Sequence, residues 1–338
     1  MSIIELINEK GLRVVVMSRG AILQSVHFPD RDGHVRDLTL GFDNLEGYLA
    51  DRFFMGQTVG RVCNRIRNGR FELNGRFYQL DINREPNHLH GGGKGCGLRD
   101  WEVARRSDTS VTFRVIMKND EDGYPGDAKI DCTYTLNDMN QLIIEYTGIC
   151  TEDSVLNLTN HTYWNLDGDE TINEHLLEIR ADSYLPTDAT KVPTGEILSV
   201  EGTKFDFRSA KKLGTLLESD GIGRVDNDYI LSDVKHQRSV NILLASEKSG
   251  IMMEMLTNYP IAHVYAGEYV TSTMGKGGKI YKPNSGIAIE CQGYTNAVNE
   301  PKFPSIRVEK GEVFSREIVY GFGHLNTSEI SGFTQKLK

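Results

Sequence analysis

The sequence predicts an all-β protein, a large antiparallel sandwich or barrel, on three observations. Short β-rich runs punctuated by Gly, Asn and Asp recur through nearly the whole chain. Asn74-Gly75 lies between two such runs and is the favoured two-residue hairpin turn, because both positions adopt positive φ. Helical periodicity is scarce.

The runs at 12–17, 111–117, 130–136, 142–149, 239–244 and 315–322 are the clearest strands. Within 70–80 the Asn74-Gly75 turn places Phe71 opposite Tyr78. Residues 137–140, Asn-Asp-Met-Asn, read as a second hairpin loop. Residues 155–166, Val-Leu-Asn-Leu-Thr-Asn-His-Thr-Tyr-Trp-Asn-Leu, read as one strand of period two. Leu156 and Leu158 take one face; Asn157, Thr159, His161 and Tyr163 take the other. Residues 209–219 predict one short helix capped by Ser209. No low-complexity linker or internal repeat interrupts this texture from about residue 12 to 322. A single domain over 1–338 is expected, with a polar tail that frays from about Gly323.

Composition narrows the function. A chain of 338 residues with 39% hydrophobic and 25% charged side chains is soluble and globular, with enough apolar mass for a sizeable core. A net charge of −9 and the lack of a long Lys/Arg run argue against a sequence-independent hold on nucleic acid or an anionic membrane. Five scattered cysteines without a C-x-x-C fit reduced thiols in a cytoplasmic protein better than a disulfide framework. The first ten residues do not form a signal peptide, and no apolar run is long enough to span a bilayer.

Several groups are candidates for chemistry. Asn64 and Arg65, in Gly60–Ile66, are potential donors to ligand oxygens, against the plainer reading of a solvated surface. The stretch 87–97, Asn-His-Leu-His-Gly-Gly-Gly-Lys-Gly-Cys-Gly, lacks the spacing of a nucleotide-binding loop. His88 and His90 have the spacing of a metal pair on a strand, but no Glu follows closely. The preferred reading sends one of the two into a cleft. Residues 120–126 resemble a calcium loop in charge only and read as a turn. Asp226 and Asp228 either hold ligand hydroxyls or cap loop amides. In 286–292, Ile287, Ile289 and Cys291 share one face; Ala288, Glu290 and Gln292 share the other. A mid-strand charge there is costly unless it is paired or faces a polar cleft, which makes Glu290 the best general acid/base carboxylate. With His161 it supplies a base and an acid near neutrality. A neighbouring carboxylate is expected to raise the histidine's pKa and keep it protonated.

At this point the chain resembles the aldose 1-epimerase, or galactose mutarotase, family through nearly its whole length. The residues that carry the resemblance are 60–66, 87–92, 122–126 and 157–166, then 184–188, 193–197, 205–208 and 225–229, and finally 290–299, 303–305 and 311–312. The resemblance implies a galactose mutarotase-like β-supersandwich with a sugar site and no cofactor or metal. It implies exchange of α and β anomers of free hexoses such as galactose and glucose. By the same resemblance Glu290 is the general base and His161 the general acid. His90 lies near the ring oxygen, Asn64 and Arg65 contact the sugar, Asp226 holds ring hydroxyls, and Tyr163 belongs to the sugar-contacting His-x-Tyr. The departures are His263 where some members have glutamine, Trp164 for a more usual Phe, and Asn227-Asp228 after the aspartate. They bear on preference among sugars. The partner expected is a small sugar, with no nucleic acid and no membrane, and the oligomeric state is open between monomer and homodimer. Alternatives are a non-catalytic carbohydrate-binding protein, a glycoside hydrolase using Asp226 and Glu290, and a metal-dependent cupin-like enzyme.

Overall fold

The computed structural model describes residues 1–217, 225–232 and 239–325. The β-branched runs pair as expected into antiparallel ladders. Nine strands form the largest sheet, in the order Glu102–Arg106, Ser110–Met117, Ala128–Asn137, Gln141–Cys150, Val313–His324, Ile251–Thr257, Ile242–Ser246, His175–Ile179, Lys211–Lys212. Along Gln141–Cys150, Leu142, Ile144 and Tyr146 are buried while Glu145 and Thr147 are exposed, the alternation of a half-buried strand. Asn140 closes the turn before it with φ of 57°. The Asn74-Gly75 turn also forms, with φ of 54° and 74°, and Phe71 stacks on Tyr78 at 5.2 Å.

A second sheet has six strands: Tyr163–Trp164, Ile287–Gln292, Ile261–Tyr265, Asp226–Ile230, Ser183–Leu185, Leu198–Ser199. A four-stranded sheet begins the chain and contains the 12–17 run as Arg13–Met17. One apolar cluster joins all three sheets. It includes Val14 and Leu23, Ile144 and Tyr320, and Val264, Ile287, Ile289 and Cys291. The six-stranded sheet turns one face to that core. Its other face lines the cleft described below. Trp164 is fully buried in the same core, 4.9 Å from the Tyr320 ring, so it is a packing residue and not part of a ligand site.

Three expectations are corrected. The strand expected over 155–166 is replaced by three short ones. Ser154–Val155 pairs with Arg307–Val308, Thr159–Asn160 with Thr58–Val59, and Tyr163–Trp164 with Ile287–Ala288. Side chains break the ladder by bonding backbone themselves. Asn157 exchanges two hydrogen bonds with Gly293, and Asn160 donates to the Gly56 carbonyl while accepting from the Thr162 amide. Asn157 and Thr159 therefore stay inside the protein, and only His161 and Tyr163 reach the cleft. The helix expected over 209–219 is shortened to one α-helical turn, Gly214–Leu217, preceded by a two-residue edge strand, Lys211–Lys212. Pairing with Leu176 and Leu177 and burial of Leu213 override a weak helical propensity, and residues 218–219 lie outside the described residues. The last long strand continues to His324 rather than fraying at Gly323; residues 326–338 lie outside the described residues. A second short helix, Leu45–Ala50, is capped by Asn44, whose side chain accepts from the Gly47 amide.

All five cysteines are buried and unpaired. Among the described residues no helix is long and apolar enough to cross a membrane. The glycine run after His90 serves close approach: a Cβ on Gly91, at φ +87°, would lie 1.8 Å from the Gly60 carbonyl oxygen. Gly91→Ala should therefore lower stability by about 2 kcal/mol or more, read from urea unfolding, through strain and backbone displacement.

Candidate active site

Register builds the floor of the cleft. The strand Ile261–Tyr265 is central, paired with Asp226–Ile230 on one side and Ile287–Gln292 on the other. Its pairing sets Asp228, His263 and Glu290 side by side in one row. The next row on the same face is Asp226, Tyr265, Ala288 and Tyr163. Alternate residues Ala262, Val264, Ile287 and Ile289 point into the core.

The walls come from loops. His161 is fixed by its own backbone, donating to the Gln57 carbonyl and accepting from the Gly56 amide. Its Nε2 stands 3.4 Å from Glu290 Oε1, with both side chains almost completely buried. Asn64 and His90 hold each other: the Asn64 amide donates to His90 Nδ1 at 3.1 Å, and the His90 amide donates to the Asn64 carbonyl at 3.0 Å. Both have positive φ, 58° and 50°. The backbone turns there, so His88 and His90 part company. His88 bonds the Asp81 carbonyl and the Tyr124 hydroxyl, and only His90 enters the cleft.

The resulting cavity is about 550 Å³ and is lined by Asn64, Arg65, His90, His161, Tyr163, Asp226 and Glu290, all singled out from the sequence. Tyr163 is a wall residue whose hydroxyl donates to the Phe53 carbonyl. Asp228 is the carboxylate that does not line the cavity; it accepts from His263 and from the Thr295 amide. Sequence reasoning missed Phe54, Arg84, Lys191, Tyr265 and Tyr269, which also line the cavity. Arg84 and Lys191 lie beside recognised blocks. Phe54, against the rings of His90 and His161 at 4.7 and 5.9 Å, carries no signal in the sequence.

Electrostatics separate three histidines. Burial, the largest effect, lowers the His161 pKa, and the charge of Glu290 works against it without reversing it. The expectation that the carboxylate keeps His161 protonated is thus corrected: desolvation of the imidazolium outweighs one neighbouring charge. Burial lowers the His90 pKa further, aided by the charges of His161 and Arg65. His263 goes the other way, up to about 10, because hydrogen bonds and charge from Asp226 and Asp228 overcome burial. Asp226 is held well below the usual carboxylate range; burial would raise it, but His263, Lys191 and Arg65 prevail.

His90, His161 and Glu290 each bring a ligand atom within 4.8 Å of one another, the geometry a metal ion would need. The donor set does not suit one. An amide donating to His90 Nδ1 puts the proton of the neutral ring on Nε2, which leaves a hydrogen-bond donor where a metal requires a lone pair. The wiring suits hydrogen bonds to oxygen.

The layered strands and this acid–base cleft define an enzyme of the galactose mutarotase-like fold. The chain belongs to the aldose 1-epimerase family, whose sequence profile matches residues 2–321. It is 38% identical to the galactose mutarotase of Homo sapiens over 314 residues, covering 92% of this chain and 91% of that one. It is 32% identical to the aldose 1-epimerase of Escherichia coli (strain K12), covering 93% of each. The crystal structure of an aldose epimerase homologue from C. elegans superposes with a TM-score of 0.92 at 43% identity, covering 96% of this chain and 99% of that one.

The raised pKa of His263 makes a stability statement. Its contribution is complete below the unfolded value of about 6.5 and is lost as pH rises toward about 10. Tm should fall across that window. Asp228→Asn should flatten the fall, and the difference between the two Tm–pH profiles isolates this group from other titrations.

Proposed function

We propose that the protein interconverts the α and β anomers of free hexoses, galactose and glucose being the first to test, with Glu290 as general base and His161 as general acid. The observation that carries the reading is the buried His161–Glu290 pair, 3.4 Å apart at the floor of a cavity of about 550 Å³. Glu290 Oε2 and His161 Nδ1 are buried with no hydrogen-bond partner among the described residues.

Anomer exchange opens the hemiacetal and recloses it on the other carbonyl face. Glu290 takes the proton of the C1 hydroxyl while His161, in its imidazolium form, gives one to the ring oxygen. The bond from C1 to the ring oxygen breaks and the aldehyde forms. Rotation about C1–C2 by roughly half a turn presents the other face, and the two groups exchange roles as microscopic reversibility requires. The Glu290 carboxylate also supports the acid, because its charge opposes the burial that would strip the proton from His161. His90 offers Nε2–H, and with Arg65 it stabilises charge growing on the ring oxygen. Asn64 and Tyr163 shape the sugar's edge. Asp226 holds ring hydroxyls as an anion. Lys191 and His263 hold Asp226 ionised for that role. These steps transfer protons and break and remake one C–O bond with no change of oxidation state, and call for no cofactor. We read the chain as one cytoplasmic domain whose partner is the sugar.

Polarimetry of freshly dissolved α-D-glucose and α-D-galactose tests the reading: catalytic protein should speed the approach to an unchanged final rotation. Absence of acceleration with both sugars overturns it, and aglycone release from a nitrophenyl hexoside would indicate a hydrolase. Glu290→Gln should cut kcat by ~10³-fold or more with KM within a few-fold, since it removes the base and the charge that supports the acid. His161→Asn should likewise lose kcat by ~10²–10⁴-fold rather than affinity. Asp226→Ala should mainly raise KM, by about tenfold or more, as expected for losing a hydrogen bond to a charged group.

A further inference from the structure

His263 takes part in neither proton transfer, yet it sits on the cleft floor, buried, between two carboxylates. Its Nδ1 is 2.7 Å from Asp228 Oδ1, and its Nε2 is 3.1 Å from Asp226 Oδ1. Both ring nitrogens face anions. A neutral imidazole has one N–H, so one of these contacts would set a lone pair against a carboxylate. Only the doubly protonated ring satisfies both. The partners are themselves fixed. Asp228 accepts from the Thr295 amide at 3.1 Å, and Lys191 Nζ stands 3.2 Å from Asp226 Oδ2.

We propose that His263 is a positioning residue: a standing imidazolium, anchored by Asp228, that holds the Asp226 carboxylate in place and ionised for the hydroxyls of a neutral sugar. The proposal rests on the epimerase reading of the same cleft. The charges around the ring are Asp226 and Asp228 on its pairing strand, Glu290 on the other, Arg65 at the start of the short strand Arg65–Ile66, and Lys191, His90 and His161 from the loops. Beside His263 the cations Lys191 and Arg65 face these carboxylates, Arg52, Arg84 and Glu85 also line the cavity, and burial disfavours His90 and His161 as cations. A glutamine placed at position 263 would offer one donor nitrogen and one carbonyl. It can serve Asp226 but would turn its oxygen on Asp228. Histidine at 263 and aspartate at 228 make sense as a pair.

Two measurements test this. Long-range ¹H–¹⁵N spectra of the histidine-labelled full chain, with the His263 signals assigned by their loss in His263→Gln, should show both nitrogens protonated from pH 6 to 9. Titration near pH 6.5 overturns the proposal. In mutarotation kinetics His263→Gln should raise KM roughly tenfold with kcat within a few-fold, as loss of a charged positioning bond predicts. Adding Asp228→Asn should recover most of that loss. An unchanged KM in His263→Gln, or two substitutions whose effects simply add, overturns it. The spectra need no activity, so a wild type that fails to accelerate mutarotation sinks the epimerase reading while the protonation of His263 is still read. If His263→Gln does not fold, a labelled His263→Asn supplies the assignment.

Discussion

The site depends on one constraint, the antiparallel register of Ile261–Tyr265 between its two neighbours. Because side chains alternate along a strand, the pairing that sets Asp228, His263 and Glu290 in one row also sends Val264 and Ile289 to the core. A slip of one residue would bury the three charges in the apolar cluster and expose the hydrophobes. Core packing and cleft chemistry are therefore fixed by the same hydrogen bonds. The Asn157–Gly293 exchange ties the segment bearing His161 to the end of the strand bearing Glu290, which keeps acid and base within reach.

Burial acts on every ionisable group in the cleft, but the outcome depends on the partners. His161 has one carboxylate at 3.4 Å and remains below its ordinary pKa. His263 has two carboxylates in direct contact and rises above it. His90 has an amide donor on one nitrogen and cations nearby, and it is held neutral. One residue type thus supplies a titrating acid, a fixed cation and a fixed neutral donor within one cavity. The distinction lies in which atoms face each ring nitrogen.

Much of this was legible in the chain itself. The Asn-Gly hairpin follows from the φ values its residues tolerate. Glu290 stood out because a mid-strand charge among Ile287, Ile289 and Cys291 requires a polar cleft. His161 and His90 were singled out by strand parity and by a motif, and both line the cavity. The errors came where a local pattern met a non-local partner. Period two carried the 155–166 reading across Asn157 and Asn160, whose amides bond backbone far away in the chain and break the strand. The 209–219 helix shrank to Gly214–Leu217 because Lys211 and Lys212 pair at a sheet edge with Leu177 and Leu176.

By itself the sequence determined the all-β class, the faces of the long strands and the kinds of residue available for acid–base chemistry. These depend on backbone preferences and on alternation over a few neighbours. Tertiary structure alone decided which oxygen faces each imidazole nitrogen, that His88 turns away while His90 turns in, that Trp164 serves the core, and that Asp228 serves His263 rather than the cavity. Each of these is a contact between residues distant in the chain, and it exists only after the sheets have packed. The balance of desolvation against pairing, which sets protonation, changes over a few ångströms that only folding fixes.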